Sequence, residues 1–217
     1  GITYSPTVVD GDCAVEDNGD GIKDDDVEEE EDNDRKQEVK SPYSPDTTLP
    51  IDEQFTFNFK ENGGKFIYCE NLDEIAENFE NILAENDWFE CNAQCFDNRL
   101  LYLLNDNKLT HDNSSTPVFF LSSCENLIAD EGSILFSSNQ FKHFKPNELP
   151  TNMIVFATTS QIVNSKSDGL RRIKSTHEKN YPSNITTIKY FEEVKEQDFL
   201  HYGSCHKNLY LLLLEDL

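Results

Sequence analysis

Met153-Ile154-Val155-Phe156-Ala157 is a nearly continuous apolar run, and its reading decides the fold. A strand with one wet face alternates apolar and polar side chains. A run that is apolar at every position belongs instead to a strand covered on both sides, as in a parallel sheet flanked by helices. Upstream, Val118-Phe119-Phe120-Leu121 and Lys65-Phe66-Ile67-Tyr68-Cys69 read as further strands, and Ile185-Thr186-Thr187-Ile188-Lys189 and residues 208–214 complete the set downstream. Helices fall between them. Asn71 caps one, with Asp73 and Glu74 in its first turn and Ile75, Phe79, Ile82 and Leu83 along one face. A second strand-helix pair follows, extended over 89–96 and helical over 97–104, and a cap at Thr159 or Ser160 starts a helix running to about Lys174. Phe55, Phe57 and Phe59 alternate with Thr56 and Asn58, which predicts a half-buried strand or an extended segment along the core. Leu127-Ile128-Ala129 and Ser133-Ile134-Leu135-Phe136, divided by Asp130-Glu131-Gly132, read as a hairpin. The sum is an α/β domain: an open, mostly parallel sheet with helices on both faces and an inserted hairpin. Ligands in such sheets gather beyond the carboxyl ends of the strands, so the loops after residues 121, 157 and 189 are the places to look.

Charge is unevenly spread along the 217 residues. Residues 1–50 hold 16 acidic against 4 basic side chains and residues 51–217 hold 26 against 14, so each part carries −12 of the total −24. From Asp10 to Lys40 there are almost no large apolar side chains to offset the entropy of ordering, and Pro42, Pro45 and Pro50 keep their predecessors out of helix. This predicts a disordered acidic arm and proline-containing linker over 1–49, then one domain over 50–217, long enough to bury a core without disulfide or metal staples. Such charge disfavours nucleic acid and anionic lipid and suits basic proteins or cations. The aliphatic run from Leu209 to Leu214 is too short to cross a bilayer, and residues 1–30 lack a charged-then-apolar leader. A cytoplasmic protein without membrane insertion is expected. Six cysteines lie scattered at 13, 69, 91, 95, 124 and 205, and the Cys91-x3-Cys95 pair lacks a structural zinc spacing, so reduced thiols, no metal and no cofactor are expected.

Phosphate loops, dinucleotide fingerprints, H-E-x-x-H and nucleophile elbows are missing from the sequence. In the acidic arm, Glu16-Asp17-Asn18-Gly19-Asp20-Gly21-Ile22-Lys23-Asp24 resembles a calcium loop, but Val27 stands where the twelfth-position carboxylate belongs, and a solvated acidic run explains it as well. Gly132-Ser133 could offer backbone N–H groups to an anion with Asp130 and Glu131 beside them, or could be an ordinary acidic hairpin turn. Thr158-Thr159-Ser160 follows the buried strand and could hold an anion at a helix start, or could simply cap that helix. In Tyr202-Gly203-Ser204-Cys205-His206 the adjacent Cys and His point to opposite sides of an extended chain, so Cys205 reads as a loop thiol. His111, His143, His177 and His201 read as surface residues in polar stretches.

The stretch from Val118 to Val163 resembles the LUD family, the domain of lactate-utilisation protein C. Ala129-Asp130-Glu131-Gly132-Ser133-Ile134-Leu135 matches the family's Ala-Glu-Thr-Gly-Thr segment. Asn147-Glu148-Leu149-Pro150 and Met153-Ile154-Val155-Phe156 match its Leu-Pro and following strand, and Ser160-Gln161-Ile162-Val163 fits the next helix start. The likeness extends more loosely over about residues 52–217, and the ending Lys207-Asn208-Leu209-Tyr210-Leu211-Leu212-Leu213-Leu214 looks like a divergent form associated with Bacteroidetes. The resemblance implies a fold like that of the NagB, RpiA and CoA-transferase superfamily. It also implies a role in lactate oxidation beside iron–sulfur partner proteins that carry the clusters themselves. The family's Gly-Pro-Ser-Arg/Lys-Thr-Ala-Asp-Ile-Glu segment is replaced by Ile188-Lys189-Tyr190-Phe191-Glu192, and its Gly-x-His-Gly-Pro by Gly203-Ser204-Cys205-His206. No catalytic acid or base is therefore carried over; Glu131, Gly132, Ser133 and Gly203 are. Two readings result: a small anionic metabolite bound over Glu131, Gly132, Ser133, Thr158, Thr159, Gly203 and Ser204, or a non-catalytic adaptor whose acidic arm engages a basic protein.

Overall fold

The computed structural model describes residues 49–112, 115–191 and 207–217. The acidic arm with its calcium-loop resemblance, Gly203, Ser204 and the Cys205-His206 pair lie outside the described residues. The element order is α1 (Ile51–Glu61), β1 (Lys65–Cys69), α2 (Leu72–Asn86), β2 (Ala93–Cys95), α3 (Leu101–Asp106), β3 (Phe119–Ser123), β4 (Asn126–Ile128), β5 (Ser133–Phe136), α4 (Ser138–Phe141), β6 (Asn152–Thr158), β7 (Ile162–Val163), α5 (Lys166–Thr176), β8 (Thr186–Ile188) and β9 (Asn208–Leu214).

Five strands form a parallel sheet in the order β1-β9-β6-β3-β2. β6, the apolar run, sits at its centre beside β9, and both are buried on two faces, as their composition requires. Alternation along the strands sorts two cores. Met153, Val155, Leu209 and Leu211 face α1 and the hairpin, while Ile154, Tyr210 and Leu212 face α2 and α3. α2 forms because Asn71 Oδ1 accepts from Glu74 N at 3.0 Å while Glu74 Oε2 accepts from Glu70 N at 2.8 Å, and its Ile75, Phe79, Ile82 and Leu83 are all buried.

Three elements differ from the sequence reading. The segment around Phe55 is helical, not extended: Ile51, Phe55 and Phe59 repeat every four residues on one face and the latter two are fully buried, whereas Phe57 is 39% exposed. Asp52 and Glu53 in the first turn and Lys60 in the last complement the helix dipole. The helix expected from Thr159 or Ser160 starts later. Thr159–Gln161 is a single 3-10 turn, Ile162 and Val163 pair in parallel with Leu127 and Ile128, and α5 then begins behind the cap Ser165, whose side chain accepts from Asp168 N. The hairpin itself is present, with Leu127 opposite Ile134 and Ile128 opposite Ser133. It does more than expected: with β7 and β8 it builds a separate four-stranded sheet, β7-β4-β5-β8, and the strand read near Ile185 joins that sheet antiparallel to β5. α5 covers this small sheet so closely that a Cβ on Gly169 would lie 3.0 Å from Leu135 Cδ2 and 3.1 Å from Ile128 Cδ1. Among the described residues no helix is long and apolar enough to cross a membrane.

Candidate functional site

Beyond the carboxyl end of β3 the chain crosses from the large sheet to the small one through Cys124 and Glu125. Here the end of β3, the start of β4, α4 and the last two turns of α5 enclose a polar cleft of about 400 Å³. Glu125 is its best-held group. Its Oε1 accepts from Ser137 Oγ at 2.6 Å, Asn139 Nδ2 at 2.9 Å and Gln140 Nε2 at 3.2 Å, and its Oε2 lies 3.5 Å from His177 Nε2 at the end of α5. Burial would push this carboxyl up, but the three donors and the His177 charge outweigh it and hold Glu125 below the usual carboxylate range. Gln161 fixes the crossing by donating to Cys124 O at 2.8 Å and Glu125 O at 3.2 Å.

Two arginines stand at the same cleft. Arg172 on α5 donates to Ser160 O. Arg99 is gripped by Asp97, with Nε donating to Oδ1 at 2.9 Å and Nη2 to Oδ2 at 2.7 Å, leaving Nη1 outside that pair. Asp97 is itself tied to the end of β3 by Ser123 Oγ at 2.9 Å, and the Arg99 hydrogen bonds bring its carboxyl down to about 2 against the opposing effect of burial. Asn126 completes the wall. It is only 2% exposed, and its carboxamide oxygen accepts no hydrogen bond among the described residues. A turn about χ2 presents either end of that carboxamide, a donor pair or an acceptor. The arrangement supplies two guanidinium groups, a fixed carboxylate–imidazole pair and a carboxamide whose oxygen needs a donor, a set suited to orienting a small oxyanion that also carries a hydroxyl. Cys124 also lines the cleft, but burial pushes its thiol far up, which keeps the sulfur protonated and poorly nucleophilic.

The residues singled out from sequence are not gathered in this cleft. Gly132 has φ +61° because the turn runs directly against α1: an added Cβ would lie 2.3 Å from the Asn58 carbonyl carbon. Asn58 Nδ2 donates to Ala129 O at 2.8 Å, and Asn62 Nδ2 donates to Glu131 O at 2.7 Å and Gly132 O at 3.1 Å, so α1 occupies the approach to the turn. Ser133 is fully buried and donates to the Glu131 carboxylate at 3.1 Å. Burial and then the Glu131 charge push Asp130 up, and an arriving anion would meet the same repulsion. Thr159 and Ser160 do hold an anion, and it is the chain's own. Asp216 Oδ1 accepts from Thr159 Oγ1 at 2.9 Å and Ser160 N at 2.8 Å, while Oδ2 accepts from Ser160 Oγ at 2.7 Å. Burial pushes Asp216 up, but these hydrogen bonds together outweigh it and bring its carboxyl down to about 2. Thr158 Oγ1 lies 3.1 Å from Ser160 Oγ in the same cluster. The Gly132 turn abuts the end of α1 that leads into β1, and Thr158–Ser160 lies at the opposite, carboxyl end of β6, so the two do not converge.

His177, read from sequence as a surface residue, is the partner of Glu125. Arg99, Glu125, Asn126 and Arg172 carry no local motif. The signal that located them was topological, since the cleft opens in the loop after residue 121. Cys91 and Cys95 pack against the α2/α3 core, and burial pushes Cys95 up to about 11. Among the described residues no three His, Cys, Asp or Glu side chains are grouped to hold a metal ion.

Comparison with known proteins gives two matches. The family model for the LUD domain matches residues 53–213. A crystal structure of a DUF162 family protein from Deinococcus radiodurans superposes with a TM-score of 0.55 over 76% of this chain and 96% of that one, at 12% identity, which is a likeness of fold. No curated protein matches the chain in sequence.

Proposed function

Because the chain belongs to the LUD domain family, we propose that it binds a small organic anion in the Glu125–His177 cleft, as an accessory in lactate or related organic-acid metabolism. The observation that carries this reading is the meeting of Arg172, Arg99 and His177 with the buried carboxamide of Asn126 at one cleft. Asn126 Oδ1, which accepts no hydrogen bond among the described residues, needs a donor, and a ligand that carries a hydroxyl beside its anionic group supplies one and recovers the cost of burying that oxygen unpaired. In a chain of net charge −24, Arg172, which donates to a neutral carbonyl, and Arg99, which keeps Nη1 outside its pair with Asp97, offer positive charge to an anion beside the paired Glu125 and His177. Thermal melting of the full chain with a panel of small carboxylates and phosphates tests this. At least one should raise the Tm, and Arg172→Ala should remove the rise; a flat panel would contradict the proposal.

A second reading rests on composition. Half of the net charge sits in residues 1–50, so an arm over 1–49 ahead of a domain over 50–217 would serve to engage a basic protein partner. A cytoplasmic setting belongs to the same picture and draws support from the scattered spacing of the six cysteines. Capture of such a partner should weaken as salt rises and vanish on removal of residues 1–40. Equal recovery by the truncated chain would overturn this reading.

A further inference from the structure

A second cleft of about 410 Å³ lies beside the first, and Arg99 lines both. Its wall is built by Leu72 and Ala76 from the first turns of α2, Leu100 and Tyr102 around the start of α3, and Phe156 from β6. Leu72 is 57% exposed and Tyr102 39% exposed, so apolar surface faces solvent where the sheet's carboxyl edge opens. Besides Arg99, the charged residues in this wall are Asp73 and Asp106. The two clefts therefore differ across one arginine: Arg172, the Glu125–His177 pair and a buried carboxamide make one side polar, while the other has apolar walls and only carboxylates, Asp73 and Asp106, beside the shared arginine.

We infer that the ligand is amphipathic, an oxyanion head in the Glu125–His177–Arg172 cleft carried on an uncharged acyl or aryl tail that lies along Leu72, Ala76, Tyr102 and Phe156. The inference rests on the proposed anion site and adds the direction and chemistry of the rest of the ligand. Asp73 and Asp106 repel an anion from the apolar cleft, which fixes the orientation. Arg99 sits at the junction with its guanidinium held at two nitrogens by Asp97 and its third outside that pair, so a head group near it meets a pre-oriented cation. Each cleft is by itself at the small end of ligand pockets, and a ligand that spans Arg99 to use both meets the mixed lining of a metabolite site.

A chain-length series tests this: straight-chain carboxylates from acetate to decanoate and the matching alkyl phosphates, titrated calorimetrically into the full chain. Affinity should rise with length in at least one series, by up to roughly fourfold per methylene where burial is complete. Octanoate, or octyl phosphate, should bind on the order of tenfold to a hundredfold more tightly than its four-carbon counterpart. The carboxylate and phosphate arms identify the head. Leu72→Asp, at an exposed position, should flatten the series, and Ala76→Phe should do so by filling the groove. Binding of short anions with no dependence on length would overturn the inference and leave the anion site standing; absence of binding by any member would overturn both.

Discussion

Asn126 is the residue on which the functional reading turns. A buried acceptor without a donor costs on the order of 1–3 kcal/mol, so the unliganded chain is less stable than an apolar residue of similar size would make it. Asn126→Val suits a strand position and removes the unpaired oxygen. The variant should match or exceed the parent in denaturant midpoint without ligand, within about 1 kcal/mol, and should lose the ligand-induced rise in Tm. Unfolding, or an undiminished rise, would show that Asn126 is structural. Other residues were legible in part. Gly132 reads in sequence as an anion-receiving turn or an ordinary acidic hairpin, and what crowds it, the Asn58 carbonyl carbon of α1 at 2.3 Å from an added Cβ, is distant in sequence. Thr159 and Ser160 were readable as anion holders, and only folding shows that Asp216 is the anion they hold. His177 gave no signal because Glu125, its partner, lies on another element and no spacing rule joins them.

At the scale of elements, strands were read well where apolar runs were continuous and helices where a cap preceded a regular face. The failure at Phe55 has a simple cause. Three phenylalanines at every second position satisfy a period of two, yet Ile51, Phe55 and Phe59 satisfy a period of four, and packing against the sheet selected the latter. Truncation separates these geometries. In the helix Phe59→Ala should cost about 3–5 kcal/mol, since the ring is fully buried and stacks with Phe55 at 5.4 Å, while Phe57→Ala should stay within about 0.5 kcal/mol. In a strand all three rings would share a face, and comparable losses at 57 and 59, measured by denaturant unfolding, would contradict the helix. The delayed start of α5 was hidden for a related reason: Thr159 and Ser160 are good caps locally, but Ile162 and Val163 must first pair with β4 to extend the small sheet.

At the scale of the molecule, the parallel sheet explains why a cleft forms where it does. The hairpin and α5 are added on the side of α1, and the crossing from β3 to β4 leaves a gap at the carboxyl edge that Glu125 of the crossing, Asn126 of β4, and Arg172 and His177 of α5 and its end line together. That general location follows from strand order alone, whereas the particular side chains depend on how the small sheet docks. The central claim, that an organic anion occupies this gap, is tested most directly by following the Asn126 side-chain amide in an ¹⁵N-labelled sample during titration with butyrate and octanoate. Saturable shifts of the Asn126 amide, accompanied by backbone shifts at Glu125 and Arg172, are the predicted result. Saturable shifts at the Gly132 turn, with Asn126 unmoved, would contradict it.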